Sequence, residues 1–133
     1  MAATSRNLVV PLLGSPDPER AVATACAFAG EDGTINAVVV IEISPLLPLD
    51  ARMDEEEASA RMLLVRARSV ADACGVHFVP HLVRAREVVS AVLELAEKEG
   101  AEIVVVDRDG CRPRRAERRL LRKAGDRVLV VAA

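Results

Sequence analysis

The chain has 133 residues, 51% of them hydrophobic and 29% charged, which predicts one globular domain over residues 1–133 with a buried core. A net charge of −2, with no Trp or Tyr and two Phe, excludes a general nucleic-acid binder, which needs a broad basic surface and aromatic platforms for bases. The apolar runs are too short to cross a bilayer, and three cysteines without CxxC spacing favour a reducing compartment, so we expect a cytoplasmic protein.

Five apolar segments alternate with helical patterns along the chain. The predicted strands cover 8–13, 35–43, 76–83, 103–106 and 128–131, and the predicted helices cover 15–29, 50–74, 86–99 and 113–124. Such alternation predicts an α/β fold, a single Rossmann-like domain whose parallel sheet carries helices on both faces. Ligands of such sheets bind beyond the carboxyl ends of the strands.

Several local signals refine this pattern. A capping Ser15 or Asp17 begins the first helix, and glycines end the helices. In the helix at 50–74, the spacing predicts that one face consists of Ala58, Met62, Val65 and Ser69. Pro80 predicts that the third strand lies at a sheet edge. The last strand is short and apolar, and as the other edge it predicts a homodimer that covers Val128, Leu129, Val130 and Val131.

The segment 108–127 holds nine of the eighteen Lys and Arg residues and three acidic residues. It separates two predicted strands, which is a place where an α/β protein can hold an anion. The alternative is a solvated helix face whose arginines pair with the acidic start of the second helix at 54–57, in this or another subunit, and we favour this alternative.

Other reactive side chains form no recognisable site. Cys26 and Cys74 are predicted to be small core residues, and Cys111 a loop residue beside arginines. His77 and His81 share a strand face without a third ligand nearby, so we predict no metal site. Because the sequence has no catalytic motif, we expect no enzyme, with weak nucleotide hydrolysis as the least favoured reading.

Several segments together resemble the universal stress protein family. Val9-Val10-Pro11 leading to Gly14-Ser15, the run 101–106 and the closing run 128–131 resemble the core segments of that family, and the resemblance covers residues 7–132. It implies a five-stranded parallel sheet of strand order 3-2-1-4-5. It also implies homodimers built through the last strand, which agrees with the argument from the edge strand.

The family includes members that bind ATP, and this chain departs from their pattern. Leu13 stands where those members have Asp, Asp107 stands at the first loop glycine, and Arg114-Arg115 replace the closing Gly-Ser. The loop after Gly110 is about six residues shorter than a phosphate loop built from converging backbone N–H groups. We therefore expect a dimeric, non-enzymatic interaction protein of the stress response that has no cofactor and does not bind ATP in the family manner.

The alternative is a protein that binds ATP, another nucleotide or an anion at the carboxyl ends of the strands. That site would use residues of the strand ends and of the basic segment: Gly14, Ser15, Ile41, Gly110, Arg112, Arg114 and Arg115. Either reading leaves room for a protein partner, and neither involves a nucleic acid or a membrane.

Overall fold

A computed structural model of the chain describes residues 6–12, 17–108, 118, 119, 122, 123 and 128–132. In chain order the elements are β1 (Asn7–Pro11), α1 (Pro18–Ala29), β2 (Thr34–Glu42), α2 (Asp54–Cys74), β3 (His77–Ala85), α3 (Val88–Lys98), β4 (Ile103–Arg108) and β5 (Val128–Ala132). The five strands form one parallel sheet in the order β3-β2-β1-β4-β5. The predicted fold class and strand order are therefore confirmed.

The two faces of the sheet bury different helices, because successive side chains of a strand point to opposite faces. Leu8, Val10 and Ile35 belong to a buried cluster with α1 and α2. Val9 and Val38 belong to a second buried cluster with α3. Strands buried on both faces are continuous apolar runs, which is the pattern that the sequence shows. In the described part of the chain, no helix is long and apolar enough to span a membrane.

Two predicted helix caps, at the start of α1 and at the end of α2, lie where the sequence signals place them. Asp17 caps α1, and its Oδ1 accepts a hydrogen bond of 3.1 Å from the backbone N–H of Arg20. Gly75 ends α2 in the left-handed conformation with φ of 74°, and its N–H is directed at the carbonyl oxygens of Ala71 and Asp72. These caps satisfy backbone groups that a helix end leaves without partners.

Two predictions for α2 are wrong. The helix begins at Asp54 and not at Asp50, because the segment before it turns back on itself, with Ala51 N–H donating to the carbonyl of Pro48 at 3.0 Å. The predicted face of Ala58, Met62, Val65 and Ser69 is exposed to solvent. The buried face consists instead of small residues and one leucine: Ala60, Leu64, Ala67 and Ala71. These small side chains let α2 lie close to α1 and the sheet.

Both predicted edge strands are confirmed. β3 lies at one end of the sheet and β5 at the other, so each pairs with a single neighbouring strand within the chain. Pro80 lies opposite Ala37 of β2 and has no N–H to donate to the ladder, which an edge strand tolerates. The edge of β5 contains no proline.

Candidate functional site

A cleft lies at the carboxyl ends of β1 and β2, beside the first turns of α2. Its volume is about 600 Å³, which falls in the range of small-molecule sites. Ile41, predicted from the sequence as a site residue, is buried and lines this cleft. Most of the other lining residues are apolar: Leu12, Val39, Val40, Met53, Ala60, Leu63 and Val88.

The polar groups at the cleft are acidic. Glu42, Glu55 and Glu56 line it and are exposed, and Ser59 is the remaining polar lining residue. The N-terminus of α2 also faces this region, but all four residues of its first turn are acidic, so its positive dipole end is already matched by carboxylates. Among the described lining residues, none is a cation.

Met53, the last residue of the loop between β2 and α2, lines the cleft, and Arg84 of β3 contacts this loop. The Arg84 guanidinium donates to the carbonyl oxygens of Leu49 and Ala51 and forms an ion pair with Glu57 of α2. The Arg84 and Glu57 side chains are 28% and 23% exposed, so solvent screens their ion pair only in part. This contact fixes the first turns of α2, including Glu55 and Glu56, relative to the sheet.

Arg86 holds the earlier part of the same loop. Its Nη1 donates to the carbonyl oxygens of Ser44 and, at 2.7 Å, Leu47. Arg84 and Arg86 therefore satisfy carbonyl groups of the loop between β2 and α2. A segment without regular secondary structure needs such side-chain donors for its backbone carbonyl groups. Its apolar side chains point outward instead, and Leu46 is 93% exposed.

Among the described residues of the basic segment, Arg119 contacts the residue that caps α3. The described residues Arg118, Arg119, Arg122 and Lys123 have helical backbone, and Arg119 Nη2 lies 3.0 Å from Glu87 Oε1. Glu87 also caps α3 through the backbone N–H of Ser90 at 2.6 Å, and this hydrogen bonding, with help from Arg119 and Lys123, lowers the pKa of Glu87. Within the chain, Arg119 thus pairs with Glu87 at the start of α3, and the pairing with the acidic start of α2 of this or another subunit stays a prediction.

A polar chain crosses the α3 face of the sheet at its other end. Asn36, the one buried polar residue of the described part, donates to Asn7 Oδ1 at 2.7 Å and to the carbonyl of Leu8 at 3.2 Å. Its own Oδ1 therefore accepts from His81 Nε2 at 3.0 Å. Burial lowers the pKa of His81, which favours the neutral ring. His77 of the same strand is exposed.

The other predicted site residues are distributed as follows. Gly14, Ser15, Gly110, Arg112, Arg114 and Arg115 lie outside the described residues, as does Cys111. Val128, Leu129, Val130 and Val131 form the edge strand β5. Asp107 lies near the carboxyl end of β4, opposite Val131. The described residues contain no cluster of three potential metal ligands.

Sequence reasoning missed the residues that shape the cleft. Glu55 and Glu56 belong to the acidic start of the second helix, and that pattern does not reveal that they line a cavity. Arg84 and Arg86 contact a loop 33 to 43 residues earlier in the chain, and no sequence period connects the two segments. One signal was available in the sequence. An edge strand carries an arginine, and a loop broken by prolines has carbonyl groups that no helix or strand can satisfy.

Comparison with known proteins agrees with this architecture. The chain is similar to a universal stress protein structure from Burkholderia pseudomallei, with 24% identity, full coverage of both chains and a TM-score of 0.72. It is also similar to a universal stress protein from Archaeoglobus fulgidus, with 22% identity, coverage of 94% and 92%, and a TM-score of 0.74. A universal stress protein in complex with cAMP is 22% identical, with 98% coverage of both chains and a TM-score of 0.68.

At such identities the structural likeness establishes the fold alone. A search among curated proteins finds no match. The model of the universal stress protein family, however, matches residues 4–132, almost the whole chain. The chain therefore belongs to the universal stress protein family.

Proposed function

We propose that this protein is a non-enzymatic, dimeric interaction protein of the stress response that does not bind ATP in the manner of the ATP-binding members. The observation that carries the proposal is the charge of the cleft. Three carboxylates, those of Glu42, Glu55 and Glu56, face the space that a nucleotide would enter at the strand ends. A phosphate chain beside them would meet repulsion, since like charges at close range disfavour each other.

The sequence supports the same proposal at the carboxyl ends of β1 and β4. Leu13 offers no acceptor for a ribose hydroxyl, and Asp107 adds a further carboxylate where a phosphate loop has glycine. The non-enzymatic part of the proposal rests on the lack of a nucleophile, base or metal-ligand motif in the sequence. The proposed location is the cytoplasm, on the basis of cysteine usage.

The predicted response to MgATP tests the proposal. Protein freed of nucleotide by unfolding and refolding is expected to show no change in Tm with millimolar MgATP. A micromolar Kd would instead stabilise the protein by about 4 kcal/mol at that concentration and raise Tm by about 10 °C or more. Differential scanning fluorimetry measures the shift, with MgCl2 and sodium phosphate as matched controls for ionic strength. A shift of that size with MgATP alone contradicts the proposal.

The proposed dimer has its own test. Light scattering at micromolar concentration is expected to give twice the chain mass of 14.2 kDa. Hydrogen exchange is expected to slow at residues 128–132 as the concentration rises, because a partner strand would occupy the open N–H groups of β5. The opposite edge strand, residues 77–85, is the internal control and is expected not to change. A mass of one chain throughout this range contradicts the dimer.

A second candidate function is small-molecule binding, and the 600 Å³ cleft with its apolar walls is the observation that favours it. The likeness to a universal stress protein in complex with cAMP supports the same alternative. Unfolding the purified protein and assaying the supernatant for released nucleotide separates the two functions. Adenosine, which has no phosphate, distinguishes recognition of the base from recognition of the anion in the same thermal assay.

A further inference from the structure

Helices α1 and α2 lie side by side on one face of the sheet and run in the same direction, since each follows a strand of a parallel sheet. An ion pair fixes their relative position near the start of α1. Arg66 contacts both carboxylate oxygens of Glu19, with Nη2 to Oε1 at 2.7 Å and Nε to Oε2 at 3.1 Å.

Two turns further along both helices, the same register brings two cysteines together. Cys26 follows Glu19 by seven residues and Cys74 follows Arg66 by eight, which corresponds to advances of about 10 and 12 Å at 1.5 Å per residue. The thiol of Cys74 is the neighbouring titratable group that interacts with the thiol of Cys26. The contact therefore agrees with the helix register set by the Glu19–Arg66 ion pair.

The surroundings favour a close approach of the two helices at this point. Ala25 and Ala29 of α1 and Ala67 and Ala71 of α2 are fully buried in the same cluster, and Cys26 packs against it. Disulfides need Cα atoms about 4.4 to 6.8 Å apart, and small neighbouring side chains allow helices to reach such separations.

The two thiols differ in exposure. Cys74, on the last turn of α2, is exposed, whereas Cys26 is half-buried. The expectation that both are core residues is therefore wrong for Cys74. Burial, together with the hydrogen bond from the neighbouring thiol, raises the pKa of Cys26 to about 12. Cys74 is thus the thiol that meets a solution oxidant, while Cys26 stays protonated beside it.

We propose that Cys26 and Cys74 form a dithiol modification site that a hydroperoxide converts into an intramolecular disulfide joining α1 to α2. The Cys74 sulfur attacks one peroxide oxygen, the O–O bond breaks, and a sulfenic acid and one water molecule form. The Cys26 sulfur then attacks the sulfenic sulfur, the S–O bond breaks, and the hydroxyl leaves as a second water molecule with the Cys26 proton. The two thiols lose two electrons to hydrogen peroxide.

The disulfide would close a long loop between the two helices, which restricts the unfolded chain. It would also tie the last turn of α2 to α1, while the first turns of α2 line the cleft. Because the Cys74 side of the bond is open to solvent, a small thiol reductant can reach it, and the modification is reversible.

The test uses the full chain carrying Cys111→Ser, which leaves Cys26 and Cys74 as its thiols. After treatment with hydrogen peroxide, unfolding and alkylation, the intact mass is expected to fall by about 2 Da with no alkylation, and dithiothreitol is expected to restore both alkylation sites. Non-reducing peptide mapping is expected to show the peptides of Cys26 and Cys74 joined. The oxidised chain is expected to have a higher Tm than the reduced chain.

Cys26→Ser in the same background is the matched control, since it keeps the exposed thiol and removes its partner. This variant is expected to gain oxygen atoms at Cys74 and not to lose about 2 Da. The proposal is overturned if the two-cysteine chain also gains oxygen, if it forms disulfide-linked dimers, or if both thiols remain open to alkylation after oxidation.

Discussion

Replacing Leu64 with alanine is expected to lower the free energy of unfolding by about 3 kcal/mol, whereas replacing its neighbour Val65 is expected to change it by less than about 0.5 kcal/mol. Leu64 is 8% exposed and packs in the cluster between α1, α2 and the sheet. Its truncation removes buried methyl groups and leaves a cavity. Val65 is 63% exposed, so its truncation removes groups that are already in contact with water.

Urea unfolding followed by circular dichroism measures both variants, with the slope of the transition checked for two-state behaviour. The two positions are adjacent in one helix, so each serves as the control for the other. Equal losses, or a larger loss for Val65→Ala, would contradict the helix orientation in the structure. That outcome would support the face of Ala58, Met62, Val65 and Ser69 that the apolar spacing predicts.

The contrast between the sheet and α2 shows what sequence patterns determine. Strands such as 35–43 are apolar on both faces, so no choice of face was needed to predict them as buried. In α2, apolar residues occur on two faces, and the spacing of Met62 and Val65 is as regular as that of Leu64 and Ala71. The buried face is decided by which side chains are small enough to lie against α1, and that information belongs to the neighbouring helix.

The candidate site also contains one residue that the sequence predicted and contacts that it did not predict. Ile41 was identified because it ends an apolar strand, and ligands of parallel sheets bind at such ends. Arg84 contacts Glu57 and the loop between β2 and α2, and these contacts join residues that are about 30 positions apart in the sequence. Asn36 had a usable signal, since an amide in the middle of an apolar strand needs buried partners.

Replacing Gly33 with alanine is expected to destabilise the protein by about 3 kcal/mol, because the structure leaves no space for a side chain there. A Cβ at Gly33 would lie 2.2 Å from the carbonyl oxygen of Ala29 and 2.6 Å from its Cβ. The Ala29 oxygen already accepts a hydrogen bond of 3.0 Å from Arg6, and Ala29 is fully buried. The clash is with backbone atoms, so the end of α1 would have to move away from Gly33. That movement would disturb the hydrogen bond between Ala29 and Arg6.

Gly75→Ala is the matched control, because it separates lack of space from backbone conformation. Gly75 has φ of +74° and open space around the position of a Cβ, so alanine there is expected to cost only about 1 kcal/mol, the cost of the left-handed conformation. Chemical denaturation of both variants gives the comparison. If Gly33→Ala costs no more than Gly75→Ala, the close contact between Gly33 and the last residue of α1 does not exist in solution.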